Sequence, residues 1–122
     1  MSVKFDQNIP IYIQIMNLIK RDVVTKKLNP GDKLPSVREM AAELQVNPNT
    51  LQRAYQELER EGVTYTQRGM GNFVREDMNM IGELKKEMSK EFIESFLKGM
   101  INLGFTAEEI VGIIQEKVKE EM

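Results

Sequence analysis

No cysteine, histidine or tryptophan occurs among the 122 residues of this chain. The lack of cysteine removes disulfides, thiolate metal sites and cysteine nucleophiles. Without histidine the chain has neither the commonest general base nor the commonest transition-metal ligand, and a Ser-His-Asp triad is impossible. No glycine-rich, phosphate-cradling loop sits between a strand and a helix. An enzyme is therefore not expected, nor is a cofactor or a bound metal. Long apolar runs are also missing. None approaches the roughly 20 residues that a membrane-spanning helix needs, and Met1 to Asn8 hold no apolar stretch of the kind found in secretion signals. No membrane partner is expected, and the cytoplasm is the expected compartment.

What is present is ordinary for a folding chain: 41% hydrophobic and 30% charged residues. The length fits one domain, or one small domain with an attachment. The net charge of -2 is unevenly spread. Residues 1–76 carry 11 Lys and Arg against 9 Asp and Glu, while residues 77–122 carry 6 against 10. A mildly basic front is joined to an acidic tail. The tail's glutamates read as a solvated helical face rather than a cation site, and the methionines Met40, Met88 and Met100 as flexible core filling.

The front reads as three helices and a hairpin. Tyr12, Ile15, Met16, Ile19 and Val23 recur at helical spacing after Pro10. Asn29-Pro30-Gly31-Asp32 is a turn, and Lys33-Leu34-Pro35 is extended because the residue before a proline avoids the α region. Ser36 and Glu39 form a capping box for a second helix with Val37, Met40, Ala41 and Leu44 inward. After a break at Gln45-Val46-Asn47, a third helix starts with Asn47 as cap and Pro48 in its first turn. It buries Leu51, Ala54, Tyr55 and Leu58 and stops at Gly62. Val63–Gln67 and Asn72–Arg75 are strands around the turn Arg68-Gly69-Met70-Gly71.

This order is that of a winged helix-turn-helix: a mainly α fold with a small β wing. Such a fold requires a third helix that buries one face and offers the other to the DNA major groove. Here Asn49, Gln52, Arg53 and Gln56 point outward, with Thr50 near the edge. Amide, hydroxyl and guanidinium groups are the types that read base edges or hold phosphates. Plainer readings stand beside the functional ones: Arg38 as a solvated charge, Arg53 as a partner of Glu57 at i+4, Asn47 as a cap only, and Gly69 and Gly71 as turn residues.

The stretch Pro30-Gly31-Asp32-Lys33-Leu34-Pro35-Ser36-Val37-Arg38-Glu39 resembles the signature of the GntR family of bacterial transcription regulators. So do Val46-Asn47-Pro48-Asn49-Thr50-Leu51, Ala54-Tyr55, the wing Arg68-Gly69-Met70-Gly71-Asn72-Phe73-Val74, and the first-helix opening Pro10-Ile11-Tyr12. The resemblance covers about residues 8–75. It implies phosphate contact by Arg38, DNA contacts by Asn49 and Thr50 at the start of the third helix, and a wing-tip contact by Arg68 and Gly69. Pro48 and Gln52 stand where other branches have arginine, and Asn72 replaces a usual threonine, with little consequence expected. Pro48 has no donor, and Gln52 suits adenine where arginine suits guanine.

Residues 77–122 read as a helical tail, set off from a DNA-binding domain at 1–76. Leu84, Met88, Phe92, Phe96 and Met100 fall four apart on a helix expected from about Met80 to Leu103, with Ile93, Leu97 and Ile101 beside them. Gly104-Phe105 breaks it. Thr106 and Glu109 cap a final helix carrying Ile110, Ile113, Ile114 and Val118. Two helices of this size are too small to bury so wide an apolar face alone, so a second copy of the chain is expected to cover it. Packing against the first helix is the other possibility. The motif Leu103-Gly104-Phe105-Thr106 with Glu108-Glu109-Ile110 is similar to tails of the YtrA subfamily. That resemblance implies a homodimeric repressor of an operon, often transporter-linked and autoregulated. A winged-helix protein-interaction module that binds no DNA is the alternative, since a balance of +2 is weak for a DNA-binding front. The tail is too short for an enclosed ligand cavity of ordinary size, and no effector is assigned.

Overall fold

The computed structural model describes residues 3–122. Its elements, in chain order, are α1 (Ile11–Val24), α2 (Val37–Leu44), α3 (Pro48–Arg60), β1 (Thr64–Gln67), β2 (Gly71–Val74), α4 (Met78–Asn102) and α5 (Ala107–Glu121). This is the mainly helical fold with a β wing that the sequence implies. The chain forms two compact units, Met1–Lys85 and Lys86–Met122.

In the first unit α3 is central, packing against both α1 and α2. Ile15, Ile19 and Val23 of α1 meet Leu51, Ala54, Tyr55 and Leu58 of α3, and all seven are buried. Truncating a fully buried Leu51 or Leu58 to alanine costs roughly 2–5 kcal/mol. The two helices of the helix-turn-helix begin as their caps dictate. Ser36 Oγ accepts from the Glu39 amide at 3.1 Å while Glu39 Oε1 accepts from the Ser36 amide at 3.1 Å. Asn47 Oδ1 accepts from the Asn49 amide at 2.8 Å, with Pro48 in the first turn. Between them Gln45 closes α2 in the left-handed region at φ 56°, turning the chain toward α3.

The wing is an antiparallel pair in which Thr64 faces Val74 and Gln67 faces Gly71. It is wider than the sequence suggests. Lys33 bridges Phe73 from outside the named strands. The Leu34 amide donates to the Asn72 carbonyl at 2.8 Å, and the Val74 amide donates to the Asp32 carbonyl at 2.8 Å. The segment leading into α2 is thus a third edge of the wing. At its start, Gly31 has φ 86°, a left-handed conformation that favours glycine, and a Cβ there would also push aside the Glu76 carboxylate.

The long helix begins at Met78 rather than near Met80. Asp77 accounts for the difference: its Oδ1 accepts from the Asn79 and Met80 amides at 3.0 and 3.1 Å, capping the helix two residues early. Met80, Ile81 and Leu84 of this first stretch pack on the core of the first unit. In the second unit Thr106 and Glu109 form the expected capping box, at 2.9 and 3.2 Å, and Ile110 is buried.

Candidate nucleic-acid interface

The first unit supplies the candidate contacts from three elements. From α3, Asn49, Gln52, Arg53 and Gln56 are exposed and Thr50 is half-buried, with the apolar stripe of the same helix directed into the core. The side chains of Asn49, Gln52 and Gln56 make no hydrogen bond to other described residues, which leaves their amide groups available to a ligand. From α2, Arg38 is exposed on the helix whose N-terminus the capping box fixes. From the wing, Arg68 and Gly69 sit in the turn between β1 and β2.

That turn is built for a sharp reversal. Gly69 has φ 78° with open space around it, and the Met70 amide donates back to the Gln67 carbonyl at 2.9 Å. Below the turn Tyr65 stacks on Phe73, centroids 5.6 Å apart. Asn72 has a role in the wing: its Oδ1 accepts from Thr66 Oγ1 at 2.9 Å across the strands. Glu59 of α3 also accepts from the Thr66 amide at 2.9 Å, tying the wing to the third helix.

Electrostatically the candidate cations are uncommitted. Among the described residues none of Arg38, Arg53 and Arg68 lies within ion-pair distance of a carboxylate. Pairing of Arg53 with Glu57 does not occur, because Glu57 accepts from Arg60 Nε at 3.0 Å instead. The Arg53 guanidinium lies over the ring of Tyr12, 3.9 Å from its centroid. Sequence reasoning did not find this contact between α1 and α3. It also passed over Lys33, which is exposed at the edge of the wing with its Cε 3.0 Å from where a Gly71 side chain would begin.

One buried tie holds α3 to the segment entering α2: Tyr55 Oη donates to the Pro35 carbonyl at 2.7 Å. Burial, aided by the negative charges of Glu39 and Glu43, pushes the Tyr55 phenol well above its ordinary range, so it stays a donor. The Glu39 carboxyl is held below its ordinary value, chiefly by the Ser36 backbone amide and then by the Ser36 hydroxyl.

The second unit shows a different surface. Phe92, Ile93, Phe96 and Leu97 are exposed, Phe92 to 69%, and so are Ile101 on α4 and Val111, Ile113, Ile114 and Val118 on α5. Met88 and Met100 are half-buried. Leu84, grouped by spacing with this surface, belongs to the first unit and packs against that unit's core. A depression in the second unit runs along α5 past Phe105, Glu109 and Ile113 and is open to solvent. Among the described residues no helix is long and apolar enough to cross a membrane.

Comparison with known proteins gives a consistent picture. Residues 11–74 match the family described as bacterial regulatory proteins, gntR family. The chain is 49% identical to YhcF of Bacillus subtilis, an uncharacterised helix-turn-helix transcriptional regulator, over 91% of this chain and 92% of that protein. It is 40% identical to the transcriptional repressor YtrA of the same organism, over 88% of this chain and 83% of that one. Among solved structures, a GntR family transcriptional regulator from Listeria monocytogenes superposes with a TM-score of 0.85 at 43% identity, covering 92% of this chain and 98% of that one.

Proposed function

The chain belongs to the GntR family of bacterial regulatory proteins, and on that premise we propose that it is a homodimeric repressor that binds an inverted-repeat operator. In this reading residues 1–76 bind DNA in the cytoplasm, at the nucleoid, and residues 77–122 dimerise. The observation that carries it is the division of α3 into a buried apolar face and an exposed face of Asn49, Gln52, Arg53 and Gln56. That face enters the major groove, with Asn49, Thr50 and Gln52 reading base edges. Arg38 and the wing residues Arg68 and Gly69 hold the backbone and fix the register.

The apolar surface of the second unit supports the dimer. Phe92, Ile93, Phe96 and Leu97 are exposed close together along α4, flanked by Met88 and Met100, and contiguous exposed apolar surface marks an interaction site. A second copy covers it with twofold symmetry, and twofold symmetry in the protein implies an inverted repeat in the DNA. Repression follows from occupying a promoter and excluding polymerase. The name of the related YtrA protein, a repressor, favours that sign of regulation. An operon that includes the regulator's own gene, and often a transporter, is the proposed target.

The test is fluorescence anisotropy against DNA upstream of the chain's own gene, followed by DNA selected from a random pool, across a salt series. Tight binding that falls steeply with salt and collapses in Arg38→Ala/Arg68→Ala supports the reading. Failure on both DNAs overturns it and leaves the winged helix as a protein-binding module.

A further inference from the structure

We propose that Tyr12 is a positioning residue for DNA binding, its ring holding the Arg53 guanidinium ready for a backbone phosphate. The inference rests on the DNA-binding reading above.

Three observations carry it. First, Arg53 Cζ lies 3.9 Å from the centroid of the Tyr12 ring, the geometry of a cation over an aromatic face. Second, the platform is firm. Tyr12 packs against the core from the first turn of α1. Two residues on, Gln14 fastens the preceding segment to that helix. Its Nε2 donates to the Asp6 and Ile9 carbonyls at 2.6 and 2.7 Å, and its Oε1 accepts from the Asp6 amide at 2.8 Å. Third, the competing partner is absent, because Glu57, one turn along α3, is engaged by Arg60.

The ring gives the cation a partner without supplying a hydrogen-bond acceptor, and among the described residues none of the five Arg53 guanidinium N–H groups has one. The side chain is therefore ordered while its donors stay free. A long, exposed arginine otherwise loses rotamer freedom when it meets a phosphate, and ordering it beforehand raises affinity. A planar fork on a fixed platform suits the oxygens of a phosphodiester. Arg53 then acts in orientation rather than in base reading, and Tyr12 acts through it.

The experiment is a mutant cycle on the full chain, with DNA that the wild type selects from a random pool. Wild-type binding is measured first; a wild type that binds no DNA overturns the DNA-binding reading and this inference together. With binding in hand, Tyr12→Leu is expected to weaken it about two- to fivefold, the range of an exposed cation–π contact. Tyr12→Phe keeps the ring and is expected to bind as wild type. Arg53→Ala is expected to lower the salt slope by about one per bound protomer. In the Arg53→Ala background Tyr12→Leu is expected to change nothing. Arg53→Lys, at an exposed position that does not threaten the fold, keeps the charge but loses the guanidinium fork, and is expected to bind more weakly than wild type. Equal effects of Tyr12→Leu in both backgrounds would reduce it to a structural residue and overturn the proposal. So would a loss in Tyr12→Phe as large as in Tyr12→Leu, since the hydroxyl would then touch DNA itself. Wild-type affinity in Arg53→Lys overturns it as well.

Discussion

Tyr55 reaches from α3 to the backbone of Pro35, donating a 2.7 Å hydrogen bond to a carbonyl 20 residues earlier in the chain. The bond joins the recognition helix to the strand-like segment that both enters α2 and edges the wing. Tyr55→Phe keeps the ring but leaves that carbonyl without its partner, so a loss of about 1–2 kcal/mol is expected in urea unfolding. The phenol's ordinary value of 10.0 is raised in the fold. The neutral form is thus favoured by folding; this stability is complete below that ordinary value and declines as pH climbs through the raised one. Wild type should therefore lose stability in strong alkali along a limb that Tyr55→Phe lacks.

Glu39 gives the opposite pH dependence. Its carboxyl is lowered by the Ser36 amide and hydroxyl, so the capping box stabilises the fold above the ordinary carboxylate value of 4.5. That contribution is lost as pH falls through the lowered value. Thermal melting between neutral and acid pH should show Glu39→Gln with a shallower acid decline than wild type. An unchanged acid limb would place the pH sensitivity elsewhere.

Thr64 carries a buried hydroxyl without a hydrogen-bond partner among the described residues, at 2% exposure. Valine has nearly the same shape and suits a strand. Thr64→Val is expected to stabilise the protein by about 0.5–1 kcal/mol, because a desolvated hydroxyl with no partner is removed. Denaturant midpoints with an unchanged slope would confirm it.

Specificity should follow Gln52. Glutamine pairs bidentately with adenine, arginine with guanine. Gln52→Arg is expected to move the preferred base from A to G at one position in each half-site, as read by selection from random DNA, with a discrimination of about 1–3 kcal/mol. An unaltered motif would take Gln52 out of the set of base readers.

The second unit predicts a separable defect. Phe92→Glu/Phe96→Glu places charge in the exposed apolar face. Sedimentation is expected to show a dimer for wild type and a monomer for the variant, with operator affinity reduced by at least tenfold because two half-sites no longer bind as one. A variant that remains dimeric would move the interface off this face.

The parts of this fold that are legible from sequence are those fixed by neighbours in the chain. Ser36 with Glu39, Asn47 with Pro48, and Thr106 with Glu109 announce helix starts because each cap closes within about one turn. The inward stripe of α3 is equally local. Contacts between distant segments left no such signature. Lys33 pairs with Phe73, Tyr12 lies under Arg53, and Gln14 clasps Asp6, each through tertiary packing that periodicity does not encode. The Asp77 cap was readable in principle, since Asp before a helical pattern is a start signal. Leu84 shows the limit of spacing most plainly: it keeps the rhythm of Phe92 and Phe96 yet serves the core of the first unit.

The side chains of Asn49, Gln52 and Gln56 bond to nothing else among the described residues, while Leu51, Ala54, Tyr55 and Leu58 hold the same helix in place. That exposed face can therefore be substituted with the scaffold untouched. If those side chains read the operator as proposed, duplicated copies of such a gene could drift toward different operators without passing through an unfolded intermediate, because substitutions there leave the buried face of α3 untouched.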